Sequence, residues 1–286
     1  MASSTDADPP AAPTTTLRAS SIGPLADIDP RDTPGFKGYK SDGKALLKER
    51  GEVLAALQER LYAHGRSGDR RSILLVLQGM DTSGKGGIVR HVVGMVDPQG
   101  VSHATFGKPT EEELAHDFLW RIRKKLPLPG QIGVFDRSHY EDVLAVRVHE
   151  LVPESQWQAR YEVINDFERE LVAEGTTVIK AMLHISPGEQ RKRLTKRLNR
   201  PDKYWKYNPS DIDERGFWSA YQEAYQVVLD RTDNDDAPWY VIPADRKWFA
   251  RLSITELLID ALEAMDLEWP DPDFDVEHEK KRLAKS

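Results

Sequence analysis

The chain has 286 residues, 39% of them hydrophobic, no cysteine and a formal net charge of −7. That length and apolar content allow one large or two small domains with a sizeable core. The missing thiols exclude disulfides and thiolate metal sites and fit a cytoplasmic protein, and the acidic balance argues against wholesale nucleic-acid binding.

No apolar run approaches the roughly 20 residues of a membrane span, and the opening "MASSTDADPPAAPTTT" lacks the charged-then-apolar order of a signal peptide. Residues 1–32 are rich in Pro, Ala, Ser, Thr and Asp, so a disordered or extended arm is expected there. The stretch "KALLKERGEVLAALQERLYAHG" spaces Leu46, Leu47, Val53, Leu54, Leu57 and Leu61 as a helix does, despite Gly51. Strand and helix patterns then alternate. Residues 72–77 read as a buried strand, 84–96 as a helix, 101–106 as a second strand, and 111–125 as a helix with Leu114, Phe118, Leu119 and Ile122 on one face. A short strand at 132–135, a helix at 156–173, a strand at 177–185 and helices at 187–200 and 212–229 follow. A last strand at 239–242 leads into a helix at 247–265, and the charged tail 268–286 is expected to fray. Strands separated by helices imply an α/β fold with a parallel five-stranded sheet covered on both faces. No internal repeat or long linker divides it, so residues 33–267 are read as one domain.

Three stretches carry chemistry. In "ILLVLQGMDTSGKGGIVRHVV", Gly79, four residues, Gly84 and Lys85 stand between a strand and a helix. That is the spacing of a phosphate-binding loop, whose backbone N–H groups turn inward at a helix N-terminus. Gly79, Ser83, Gly84, Gly86 and Gly87 are its candidate phosphate-binding positions, with Lys85 reaching the terminal phosphates as a mobile charge. A plain glycine-rich turn is the bland alternative. Gly86 replaces the Ser or Thr that would ligate magnesium, so another oxygen donor is needed. In "GQIGVFDRSHYEDVL", Asp136 ends an apolar strand where phosphate-loop enzymes place a metal-holding carboxylate. Asp81 and Asp136 are therefore the candidate metal ligands, although Asp81 could instead cap its own turn. Arg137 could fork onto phosphate oxygens or form an ordinary ion pair. His139, Tyr140, Glu141 and Asp142 follow and could line the same site.

The third stretch, "RKRLTKRLNRPDKYWK", holds eight Lys or Arg and one acid inside an acidic chain. Arg193, Lys196, Arg197 and Arg200 fall on one helical face, and Lys203 and Lys206 lie in the segment after Pro201, which reads as a mobile lid around residues 191–213. A polyanion is the economical partner for so many cations; a solvated basic face is the alternative. In "PADRKWFAR", Asp245, Arg246 and Lys247 follow the last strand, at the edge where ligand contacts are expected, or Asp245 caps the next helix.

In "GMDTSGKGG", "FDRSHYEDVL" and the basic segment with "DKYWKYNPSDIDER", in that order, the chain resembles the family-2 polyphosphate kinases. The flanking "PTEEELAHDFLWRI", "LHISPGEQRKRL" and "APWYVIPADRKWFAR" are similar too, so the resemblance spans residues 36–267. It implies a thymidylate-kinase-like P-loop fold with a helical lid and phosphoryl transfer between inorganic polyphosphate and purine nucleotides, AMP and ADP with GMP and GDP as further acceptors. It implies magnesium, with manganese as its substitute, and a homodimer or homotetramer. Asp81, Lys85, Asp136 and Arg137 match the family's catalytic positions; Arg193, Arg197 and Lys206 match basic lid positions. Gly86 is usual in the family. After the motif that parallels residues 137–140, one branch acting mainly on diphosphates has Asn, and a branch accepting mono- and diphosphates has Glu, as Glu141 is here. Two rivals stay open: an NTP-dependent nucleoside monophosphate kinase, and a polyphosphate-binding module without turnover.

Overall fold

The computed structural model describes residues 15–286; the first part of the expected N-terminal arm, residues 1–14, lies outside the described residues. Helix α1 (Lys40–Arg66) leads into β1 (Ser72–Gln78), followed by α2 (Lys85–His91), β2 (Val101–Thr105), the short helices α3 (Glu111–Leu114) and α4 (Trp120–Arg123), and β3 (Ile132–Asp136). Then come α5 (Ala145–Val148), α6 (Glu154–Ala173), β4 (Thr176–His184), α7 (Pro187–Leu198), α8 (Ser210–Glu214), α9 (Trp218–Thr232), β5 (Trp239–Pro243), α10 (Lys247–Glu263) and α11 (Val276–Leu283). The five strands pair in parallel in the order β2-β3-β1-β4-β5. The first strand is central and the Asp-terminated strand lies beside it.

Strand β1 is buried along its whole length, and its alternating side chains feed two cores. Ile73, Leu75 and Leu77 join α1, α2 and α10 on one face, while Leu74 and Val76 join α6 and α9 on the other. Gly51, the apparent flaw in the first helix, is a contact point: a Cβ there would meet the Met95 sulfur at 2.6 Å. Among the described residues no helix is long and apolar enough to cross a membrane.

Several helices differ from their periodicity. The expected helix at 111–125 is two single turns, because the Asp117 carboxylate accepts the Leu119 N–H and restarts the chain; Leu114 is left 69% exposed. The helix after the phosphate loop gives way to a 3-10 turn, Val93–Met95, and a similar turn, Arg215–Phe217, precedes α9 at Gly216. The tail is not structureless, for α11 forms with exposed Glu277–Lys280 and Glu279–Arg282 pairs. Residues 15–32 drape across the sheet edge, with Leu17 and Leu25 buried and Arg18 bridging to Tyr240 of β5.

Candidate active site

The loop between β1 and α2 is shaped from both sides. Gly79 sits at φ +140° and Gly84 at +123°, conformations that L side chains rarely adopt. Thr82 holds a left-handed φ of +64° without being glycine, a strain that the surroundings must hold in place. Tyr225 of α9 accepts the Gly79 N–H at 2.9 Å, and Lys85, only 8% exposed, folds its ammonium back onto the Gly79 carbonyl at 2.7 Å. Burial lowers the pKa of Lys85, against the pull of Asp136, Asp81 and Glu141. The hydroxyls of Thr82 and Ser83 are buried with no hydrogen-bond partner among the described residues.

The parallel register puts Asp136, the last residue of β3, beside Leu77, and the Arg137 N–H donates to the Leu77 carbonyl at 3.1 Å. Arg137 takes a left-handed φ of +65° and turns its guanidinium to Asp81, 2.8 Å away. Burial works against that charge, yet Glu141 and Asp81 outweigh it, and the pKa of Arg137 is raised. Glu141 is pushed above the ordinary carboxylate range by burial, with Arg137 and Lys85 pulling the other way. Gln78 lies between Ser138 and Glu141; with its amide nitrogen toward the carboxylate it donates at 3.2 Å and accepts from the Ser138 hydroxyl. The cleft above these groups is closed from the other side by Glu214, Tyr221 and Tyr225. His149 braces that wall, 3.1 Å from Glu214. Tyr221 and Tyr225 lie outside every quoted motif, and Gln78, Gln190 and Glu214 stand inside quoted stretches without being singled out as site residues; only the fold brings α9 over the loop.

The basic segment divides. Arg193, expected on the polyanion-facing side with Lys196, Arg197 and Arg200, is 7% exposed and wholly engaged. Its guanidinium donates to the carbonyls of Thr82 (2.9 Å), Ser83 (2.6 Å), Ala244 (2.6 Å) and Asp245 (3.2 Å) and to Glu189 (2.9 Å). That reading is corrected: Arg193 clamps the phosphate loop to the start of α10 from behind. Arg197 donates to the Lys206 carbonyl and to Asp211; Arg200 and Lys203 share Asp202; Lys206 lies over the exposed Trp205 ring. Lys196 is exposed.

This chain matches the family profile described as Polyphosphate kinase 2 (PPK2) over residues 38–270. It belongs to the polyphosphate kinase 2 family. An AMP/ADP-polyphosphate phosphotransferase from Meiothermus ruber is 46% identical over 249 residues, 87% of this chain and 92% of that protein. An ADP-polyphosphate phosphotransferase from Rhodopseudomonas palustris is 40% identical over 254 residues, 85% of this chain and 86% of that one. The crystal structure of Polyphosphate Kinase 2 from Arthrobacter aurescens TC1 superposes with a TM-score of 0.94 at 50% identity, covering 97% of this chain and 98% of that one.

Behind its site this polyphosphate kinase 2 member holds a buried polar knot. Lys180 of β4 donates to Glu168 Oε2 (2.6 Å), Tyr140 Oη (3.1 Å) and the Thr232 carbonyl (2.7 Å). Tyr140 Oη donates to Glu168 Oε1 at 2.8 Å, and His139 Nε2 lies 3.2 Å from the same oxygen. All four side chains are at most 1% exposed. Although burial disfavours its charge, Lys180 and His139 hold Glu168 below the ordinary carboxylate range. The knot ties the turn between Arg137 and Glu141 to α6, β4 and the end of α9.

Proposed function

We propose that this chain transfers phosphoryl groups from inorganic polyphosphate to nucleoside mono- and diphosphates, AMP and ADP foremost, and in the reverse direction. The observation that carries this is the meeting, on one strand edge, of Lys85, Asp81, Asp136 and Arg137 with a phosphate loop that keeps two buried hydroxyls unpaired. The two relatives, by their names, act on AMP or ADP with polyphosphate.

Transfer between phosphates needs positioning and charge neutralisation more than covalent catalysis. The loop N–H groups and Lys85 would cradle the acceptor's phosphate. Arg137, already turned inward, would share the charge of the transferring group. An ionised phosphate oxygen needs no general base. Glu141, held in the cleft beside Arg137, is proposed to set acceptance of monophosphates as well as diphosphates. Hard divalent cations take oxygen ligands, and magnesium commonly uses one or two protein carboxylates. Asp81 and Asp136 fit that donor set, and among the described residues no group of three or more potential ligands competes with it. Magnesium held there would neutralise phosphate charge and align donor with acceptor. A homodimer or homotetramer belongs to the same proposal, by family membership alone.

The test mixes polyphosphate with AMP, and separately with ADP, at fixed magnesium, and follows products by chromatography. ADP and then ATP from AMP is the expected result. ATP from ADP alone would keep the donor and discard the role given to Glu141, with a control lacking polyphosphate to exclude adenylate kinase activity. Transfer from ATP to AMP without polyphosphate, or no transfer at all, would overturn the reading.

A further inference from the structure

Asp245, just past the end of β5, is expected from sequence either to meet a ligand at the sheet edge or to cap α10. It does neither. Helix α10 begins after Arg246 with no side-chain cap bond, and the Asp245 carboxylate, 8% exposed, is turned to the start of α7. There it accepts both the N–H (2.8 Å) and the hydroxyl (2.7 Å) of Ser186. Ser186 is the N-cap of α7, and its oxygen, oriented by the bond it donates, accepts the Glu189 N–H at 3.1 Å. A carboxylate here also suits the positive end of the helix. The N-terminal arm closes over the same residue: the Asp245 N–H donates to the Pro30 carbonyl at 3.0 Å, and Arg31 lies 3.7 Å from the carboxylate. These arm residues precede residue 38, where the family match begins.

Helix α7 in turn holds the phosphate loop. Gln190, 1% exposed, donates to the Asp81 carbonyl at 3.1 Å, and Arg193 donates to those of Thr82 and Ser83. Three consecutive loop carbonyls are thus drawn back onto one helix. A trans peptide sets its N–H opposite its C=O, so the N–H groups of Thr82 and Gly84 are turned away from α7. The left-handed φ of Thr82 requires such a hold from outside the loop. Asp245 meets α7 at two points: its side chain at Ser186, and its carbonyl at Arg193, 3.2 Å away and about 10 Å further along the helix axis. One contact would leave the helix a pivot; two fix its tilt. We propose that Asp245 is a positioning residue for phosphoryl transfer, which through Ser186 sets the start of α7 and so holds Gln190 and Arg193 against the back of the phosphate loop. It touches no reacting group. The role rests on the transfer reaction proposed above.

The experiment measures kcat and KM for ADP formation from AMP and long-chain polyphosphate, with the melting temperature of each variant, in the full chain. Asp245→Ala should lower kcat about 10- to 100-fold, as expected for a small misplacement of reacting groups, with KM for both substrates nearly unchanged. Asp245→Ala combined with Arg193→Ala should lose much less than the product of the two single losses, because both act on the loop through one helix. Ser186→Ala should lower kcat in the same way, and Ser186→Thr, which keeps the hydroxyl, should restore most of it. A lower melting temperature with wild-type kcat in Asp245→Ala would overturn the proposal by reducing the residue to a stability role. Losses that multiply fully with those of Arg193→Ala would overturn it too. Should Asp245→Ala fail to fold, the Ser186 pair decides: equal kcat in the Ala and Thr variants sinks the link. A wild-type chain without transfer would sink the proposed function and this role with it, whereas an active wild type with unaffected variants sinks the positioning role alone.

Discussion

The strand edge at β1 and β3 and the segment from α7 to α8 both concentrate charge, but they hold it differently. At the edge three charged groups are held by the surrounding fold: Lys85 by its own loop carbonyl, Arg137 by Asp81 and a backbone turn, Glu141 by Gln78, with the knot of Lys180, Glu168 and Tyr140 beneath. In the α7–α8 segment most ion pairs join neighbours in sequence that are exposed, as with Arg200 and Asp202, whose side chains are 47% and 56% exposed; Arg197 and Asp211 are the exception. Phosphoryl transfer tolerates little misplacement of the reacting groups, whereas capture of a long flexible anion needs charge more than geometry. The molecule therefore puts its buried polar interactions behind the chemistry and leaves its pliable ones at the rim.

The sharpest way to break this comparison is at the edge. Lys85→Ala and Asp136→Asn should each lower phosphoryl transfer by at least about 10³-fold, with circular dichroism and the melting transition near those of the wild type. A folded variant that keeps its activity would remove the residue from the site. Next in size is the knot. Glu168→Gln leaves the Lys180 charge buried against a neutral partner and should cost about 3–5 kcal/mol in denaturant unfolding, while Glu168→Gln/Lys180→Met should recover most of that loss. If the double variant regained full transfer as well as stability, the knot would be a matter of packing and would not position the turn at Arg137 and Glu141. The smallest contrast lies inside one helix. Arg193→Ala should impair nucleotide and polyphosphate use alike, because it releases the loop. Arg197→Ala, which removes the guanidinium paired with Asp211, should raise KM for polyphosphate a few-fold and hardly change that for AMP. Equal profiles for the two variants would erase the distinction between a clamp and a donor contact.

Much of this was legible along the chain. The five strands, their parallel pairing and the place of Asp136 at a strand end follow from buried β-rich runs spaced by helices, and the phosphate loop from glycine spacing in a strand-to-helix context. The helices expected at 84–96 and 111–125 are too long, and the one expected at 212–229 is instead broken, with α8 ending at Glu214 and α9 running from Trp218 to Thr232. Gly94, Asp117 and Gly216 interrupt patterns whose hydrophobic phase looks continuous, and local hydrogen bonding decides there against periodicity. The walls of the cleft were not legible. Tyr221 and Tyr225 are unremarkable helix residues until α9 is laid across the loop.

The sequence by itself determined the order of elements, the loop and the carboxylate opposite it, because those depend on short-range spacing and on side-chain chemistry that is the same in any context. Which cations keep an open side chain and which are consumed inside the fold is settled by tertiary contacts. Helical phase placed Arg193 with Lys196 and Arg197, yet Arg193 is consumed by four carbonyls contributed by two distant segments, and Lys247 and Arg251, some fifty residues downstream, remain free beside it. A cation's role is set by whether the chain brings it a buried acceptor. That depends on contacts between segments remote in sequence, which no local pattern encodes.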